Sequence, residues 1–139
     1  MKKKTEACPC GSGRIPASCC GQFIAGRLVD TAEQLMRSRY TAYVFGDEKY
    51  LLKSWHKKTR PEALNLDQQE PLKWIGLKVL NHTIDPGNPD KASVEFVARY
   101  KVNGKAEKIH EFSRFLKQDG RWYYVDGEIM SSQPSDNRH

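Results

Sequence analysis

The chain has 139 residues, 38% hydrophobic and 29% charged, with three Trp, six Tyr and five Phe. That is one ordinary domain with room for a small appendage; its aromatic content excludes a disordered chain, and no apolar run approaches the ~18–20 residues that span a bilayer. The net charge of +6 is uneven: residues 1–60 hold twelve Lys and Arg against five Asp and Glu, residues 61–139 eleven against twelve. Such asymmetry admits an acidic partner (RNA, an acidic protein face or anionic lipid) and equally a plain solvated basic surface.

In chain order, Lys2-Lys3-Lys4 begins a leader that no apolar segment follows, so it is not a signal peptide and the cytoplasm is the expected compartment. Residues 8–21 form a cysteine loop in which glycines permit tight turns. Asp30-Thr31-Ala32-Glu33 reads as a helix start with Asp30 as N-cap and Glu33 completing a capping box; the helix runs to about Phe45 and ends at Gly46. At 100° per residue Ala32, Leu35, Met36, Arg39 and Tyr43 share one face, and Arg37 points away toward solvent. Asp47 caps a shorter helix carrying Tyr50, Leu51 and Trp55, and residues 56–72 are a weaker helix-and-loop region. Four strands follow: Trp74–Ile84, Ala92–Val102, Glu107–Lys117 and Arg121–Asp126. A turn at Pro86–Asp90 and hairpin dipeptides Asn103-Gly104 and Asp119-Gly120 join them. Helices followed by an antiparallel meander make an α+β fold. Expected boundaries are a metal-binding motif over 1–25, the α+β domain over 26–130 and a frayed polar tail over 131–139.

The four cysteines, Cys8, Cys10, Cys19 and Cys20, are the only ones in the chain. Cys8-Pro9-Cys10-Gly11-Ser12-Gly13 and then Cys19-Cys20-Gly21 offer two ligands from a tight C-x-C turn and two from an adjacent pair. A Cys₄ set is a common closed structural site for Zn²⁺, one ion per chain. Arg14 and backbone amides are candidate donors to the thiolates. With four protein ligands no position remains for a reactive water. A disulfide pair is unusual in a reducing compartment, and adjacent cysteines pair only with strain. A redox dithiol takes the form C-x-x-C before a helix, which is absent.

The cysteine segment resembles the SEC-C zinc motif. Ala32-Glu33-Gln34-Leu35-Met36-Arg37-Ser38-Arg39-Tyr40-Thr41-Ala42-Tyr43 is similar to the hallmark helix of the bacterial YchJ family. Tyr50–His56, Val94–Tyr100, His110–Phe115 and Gly120–Gly127 match that family as well, so the resemblance covers nearly the whole chain. It implies an N-terminal zinc module on a nuclear-transport-factor-like (cystatin-like) α+β cone. By similarity to SEC-C modules it implies a chaperone, a secretion component or the ribosome as partner, reached through the knuckle and basic residues Lys2–Lys4, Arg14 and Arg27. Some relatives carry a second SEC-C motif that does not occur here, and Ile15-Pro16 departs from the more usual basic or aromatic residues between the cysteine pairs.

Cone domains often open between sheet and helices, and the candidate polar lining is Arg39, Tyr43, His56, Glu95, Arg99, His110, Glu111 and Ser113. Arg39, a guanidinium on an apolar helix face, needs a partner; a structural pair with Glu95 or Glu111 is the favoured expectation, a ligand site the alternative. His110 and Glu111 are strand neighbours on opposite faces and do not form one dyad. No Ser/His/Asp constellation and no P-loop occurs. The sequence therefore favours a non-enzymatic zinc-binding interaction module, with a small-molecule site around Arg39 as the alternative.

Overall fold

The computed structural model describes residues 7–66 and 72–134. Basic residues Lys2–Lys4 and the last five residues of the expected tail lie outside that range. A 3₁₀ turn, Pro16–Ser18, leads into α1 (Cys20–Ile24), α2 (Ala32–Phe45) and α3 (Glu48–Lys53). Then come β1 (Leu72–Ile84), β2 (Lys91–Val102), β3 (Lys105–Gln118) and β4 (Arg121–Pro134). The strands form one antiparallel sheet in the order β1-β2-β3-β4. Among the described residues no helix is long and apolar enough to cross a membrane.

α2 starts one residue later than the capping pattern suggested. Thr31 is extended, and its side chain accepts from the Gln34 amide. Gln34 in turn accepts from the Asp30 amide through Oε1. Gln34, not Glu33, thus closes the cap, its side chain reaching the amide one residue before the N-cap, which leaves Glu33 free for other contacts. Gly46 ends the helix in the left-handed region. Asp47 caps α3 as expected by accepting from the Tyr50 amide, but α3 stops at Lys53, so Trp55 lies beyond it. From residue 56 to 65 the chain is turn and loop rather than the expected weak helix.

α2 is buried on two sides. Ala32, Leu35, Met36 and Tyr40 pack on Val94, Phe96, Ala98 and Phe115 of the sheet, side chains the size of Leu, Met, Val or Phe each contributing about 1.5–3 kcal/mol on full burial. Ser38, Thr41 and Ala42 are also buried, because α3 and the cysteine module cover the helix's other flank: Ser38 bonds Tyr50 and Thr41 meets Cys8.

The even residues of β2 from Ala92 to Ala98 are buried, as the alternation requires. Both hairpin dipeptides adopt the paired positive φ of a type I′ turn: Asn103 at 53° and Gly104 at 77°, Asp119 at 54° and Gly120 at 77°. β4 continues past the expected end at Asp126 to Pro134, opposite Glu107. Its register slips twice. Arg114 faces Asp126 while Phe115 faces Tyr124, and His110 faces Ser131 while Glu111 faces Ile129. Val125 and Met130 are the extra residues; each bulge breaks the two-residue period that marks a strand.

Candidate metal centre and cone cavity

The Sγ atoms of Cys8, Cys10, Cys19 and Cys20 all lie within 4.8 Å of one another, and all four residues are buried. Cys10 and Cys19 are 3.6 Å apart and Cys19 and Cys20 4.0 Å. Ligands about 2.3 Å from a tetrahedral zinc are separated by about 3.8 Å, so the donor set fits such an ion. All four are free cysteines. Hydrogen bonds with Cys10 and then Cys20 lower the pKa of Cys8, and those with Cys10 and then Cys8 raise that of Cys20. Cysteine binds a metal as its thiolate, so occupation of the site would release the thiol protons.

The loop is shaped by its own backbone. The Cys8 amide donates to the Arg14 carbonyl at 2.6 Å and the Gly11 amide to Cys8 at 3.1 Å. Ser12 Oγ lies 3.0 Å from Cys19 Sγ, and Thr41 Oγ1 3.6 Å from Cys8 Sγ, so two hydroxyls flank the sulfurs. Arg14 does not reach a sulfur: its Nη1 donates to the Ser18 carbonyl at 3.1 Å and clips the loop shut. Gly21 packs against the Pro16 carbonyl, and a Cβ there would stand 2.7 Å from that oxygen. Leu77 of β1 covers the cluster. Arg37, expected in solvent, turns to the module instead: Nη1 donates to the Cys10 carbonyl at 2.7 Å and Nε to Glu33 at 3.0 Å.

A cavity of about 260 Å³ lies between α2 and the sheet. Tyr40, Tyr43, Trp74, Phe96 and Phe115 form much of its wall, and Arg39, Glu111, Ser113 and Tyr124 bring polar atoms to it. Arg39 is only 6% exposed. Its Nη1 donates to the Leu51 carbonyl and to Ser54 Oγ, both at 2.7 Å. Its guanidinium carbon sits 4.4 Å from the Tyr124 ring centroid and 5.1 Å from that of Trp55. Burial lowers the pKa of Arg39, and the nearby tyrosines Tyr43, Tyr124 and Tyr50 and then Glu111 oppose that shift. Glu111 Oε2 accepts from Ser113 at 2.7 Å. Burial likewise raises the pKa of Tyr43, which Glu111 reinforces and Arg39 counteracts.

The YchJ middle nuclear-transport-factor-like domain matches residues 31–127, most of the chain. The chain belongs to the YchJ family. Among its relatives, a UPF0225 protein of Chromobacterium violaceum is 53% identical over 135 residues, 93% of this chain and 99% of that one. A second, from Ralstonia nicotianae, is 49% identical over 90% of this chain and 92% of its own. The solution structure of a SEC-C motif containing protein from Rhodopseudomonas palustris superposes with a TM-score of 0.79 at 33% identity. It covers 91% of this chain and all of that one. A SEC-C motif containing protein from Psychrobacter arcticus gives 0.75 at 26% identity, over 88% and 82%. The helices on a four-stranded meander, with the cysteine cluster at the N-terminal end, are thus the YchJ and SEC-C architecture the sequence resembled.

Within this YchJ fold the eight expected pocket residues divide in two. Arg39, Tyr43, Glu111 and Ser113 line the cavity. Glu95, Arg99 and His110 do not, because alternation along β2 and β3 turns them to the other face of the sheet. There His110 Nε2 and Glu95 Oε2 are 2.6 Å apart, Asn81 donates to Glu95 at 3.1 Å, and Arg99 is exposed. His56 is buried elsewhere: its Nε2 lies 2.7 Å from Gln118 Oε1, and its Nδ1 accepts from the Lys58 amide. The expected pairing of Arg39 with Glu95 or Glu111 is replaced by neutral acceptors and aromatic faces. Among the described residues no ion pair reaches Arg39. Sequence reasoning passed over Thr41 and Arg37 as partners of the cysteine module. Their only signal is position: Thr41 lies one helical turn from Arg37, on a flank outside the apolar stripe.

Proposed function

We propose that the four cysteines hold one Zn²⁺ as a closed structural site, and that the resulting knuckle is an interaction module for a protein or ribosomal partner in the cytoplasm. The thiolate-only donor set favours zinc over harder cations. Four protein ligands leave no open position, so the ion's contribution is to shape a surface and to supply folding free energy to a short segment. The supporting observation is a groove of about 570 Å³ between the knuckle and the start of α2, edged by Arg14, Arg27 and Arg37 against Asp30 and Glu33. Ile15 of the cysteine loop is 41% exposed. Three arginines against two carboxylates leave the rim basic, and a basic rim with an exposed apolar side chain on the same loop suits an acidic protein or ribosomal surface.

The reading is tested by measuring bound metal by elemental analysis. Co-sedimentation with purified ribosomes and a native-lysate pull-down would then compare wild type with Cys19→Ser/Cys20→Ser. One equivalent of zinc, and partners lost both in the double variant and at 0.5 M salt, are the expected outcome. Partners retained by the double variant would remove the knuckle from the interaction, and binding indifferent to salt would remove the basic rim.

A further inference from the structure

We propose that the cone cavity is a binding site for a small, uncharged, flat and largely apolar molecule carrying a hydrogen-bond donor, with Glu111 as the acceptor that selects it. This is independent of the role of the zinc knuckle. The volume, about 260 Å³, lies just under the roughly 300–1,000 Å³ of drug-sized sites, which suits one or two fused rings. The wall supplies ring faces and edges: Trp74 meets Tyr40 edge-on at 5.6 Å and Tyr43 at a tilt at 6.0 Å between centroids. Flat apolar ligands gain from such surfaces through offset and edge-to-face packing.

Selectivity comes from the polar end. Glu111 occupies a cavity-facing position on β3, between Phe96 on β2 and Ile129 on β4. An apolar side chain there would simply extend the core, whereas a partly buried carboxylate costs stability unless donors satisfy it. Ser113 supplies one donor to Oε2, and a carboxylate accepts several. The chain makes room for this group: a Cβ on Gly127 would collide with Glu111 Oε2 and stand 3.1 Å from the Tyr124 hydroxyl. Arg39 is not available in the same sense. Its Nη1 serves Leu51 and Ser54, and its guanidinium lies over Tyr124 and Trp55. Arg39 and Glu111 already bring one charge of each sign to the cavity, so a charged ligand would add an unbalanced charge in a poorly solvated space.

The test is a titration of the zinc-loaded, ¹⁵N-labelled full chain with 2-naphthol, 2-fluoronaphthalene (the same shape without a donor) and 2-naphthoate. The expected result is saturable shifts at the Trp74 indole and the Phe96 and Ser113 amides with 2-naphthol. Binding should be about tenfold or more weaker for the other two probes, the discrimination a hydrogen bond to a charged group provides. Glu111→Gln should lower 2-naphthol affinity by about the same factor and leave 2-fluoronaphthalene unchanged. No saturable shift with 2-naphthol, equal affinity for 2-fluoronaphthalene, or tighter binding of 2-naphthoate would each overturn the proposal. If Glu111→Gln does not fold, the three wild-type titrations decide alone.

Discussion

Arg37 Nη1 donates to the carbonyl oxygen of Cys10 over 2.7 Å, joining a residue of α2 to a cysteine twenty-seven positions earlier. Glu33 orients the guanidinium from one turn back at 3.0 Å, and Glu33 itself approaches His82 Nδ1 at 3.7 Å. Because the bond reaches the backbone of Cys10 rather than its sulfur, it fixes where the C-x-C turn sits on the domain. Arg37→Met should therefore leave the α+β fold intact and weaken zinc retention about tenfold, the lower end of what outer partners of a metal site contribute. Competition with a chromogenic chelator measures this. Unchanged retention would mean that the Leu77 and Thr41 contacts hold the module by themselves.

Gly127 lies against the Glu111 carboxylate and the Tyr124 hydroxyl with no space for a methyl group. Gly127→Ala should destabilise the domain by about 1–3 kcal/mol through overpacking. Glu111→Ala in the same chain should recover much of that loss. Urea denaturation of the two single variants and the double variant gives the coupling directly; strict additivity would contradict the contact.

Arg39 ties α2 to the end of α3 through the Leu51 carbonyl and Ser54 Oγ. Arg39→Met keeps much of the side-chain volume but removes a charged donor shared by two buried acceptors. Stability should fall by about 1–3 kcal/mol, seen as a lower denaturation midpoint. A midpoint that does not move would show that the cost of burying the guanidinium cancels its bonds.

Glu48 accepts from the Leu64 and Leu66 amides at 3.0 and 3.1 Å, and these backbone bonds lower its pKa. A carboxylate depressed in the folded state stabilises it fully above the unfolded value of about 4.3. That contribution is lost as pH falls through the lower folded value. Acidification should thus loosen the 64–66 segment, seen as amide shifts of Leu64 and Leu66 below the ordinary carboxylate range. In Glu48→Gln the two amides should show no such pH dependence.

Much of this fold could be read from local patterns. The two type I′ dipeptides, the alternation of β2, the Gly46 stop and the Asp47 cap each depend on a few neighbouring residues, and the structure has them as read. The C-C pair and C-x-C turn likewise identified all four sulfurs that converge. What could not be read depends on register and on packing from a second side. The bulge at Val125 moves the cavity-facing positions of β4 from even to odd numbers, so that Gly127 arrives opposite Ser113. The strand pattern seemed to end just there, at Asp126. Arg37 looked solvent-facing because helical periodicity describes one buried stripe, and α2 has two. Arg39 was correctly singled out as anomalous, but the sequence could not show that carbonyl, hydroxyl and ring faces take the place of a carboxylate.

The double burial of α2 carries a thermodynamic corollary. Thr41 and Arg37 touch the cysteine module on one flank, while Arg39, Tyr40 and Tyr43 border the cavity on the other. A single four-turn rod is the common wall of both compartments. Whatever factor by which filling one compartment changes affinity in the other, the reverse factor must be identical. Metal content is therefore a quantity to be held constant when the cavity is titrated, and occupancy of the cavity when metal affinity is measured.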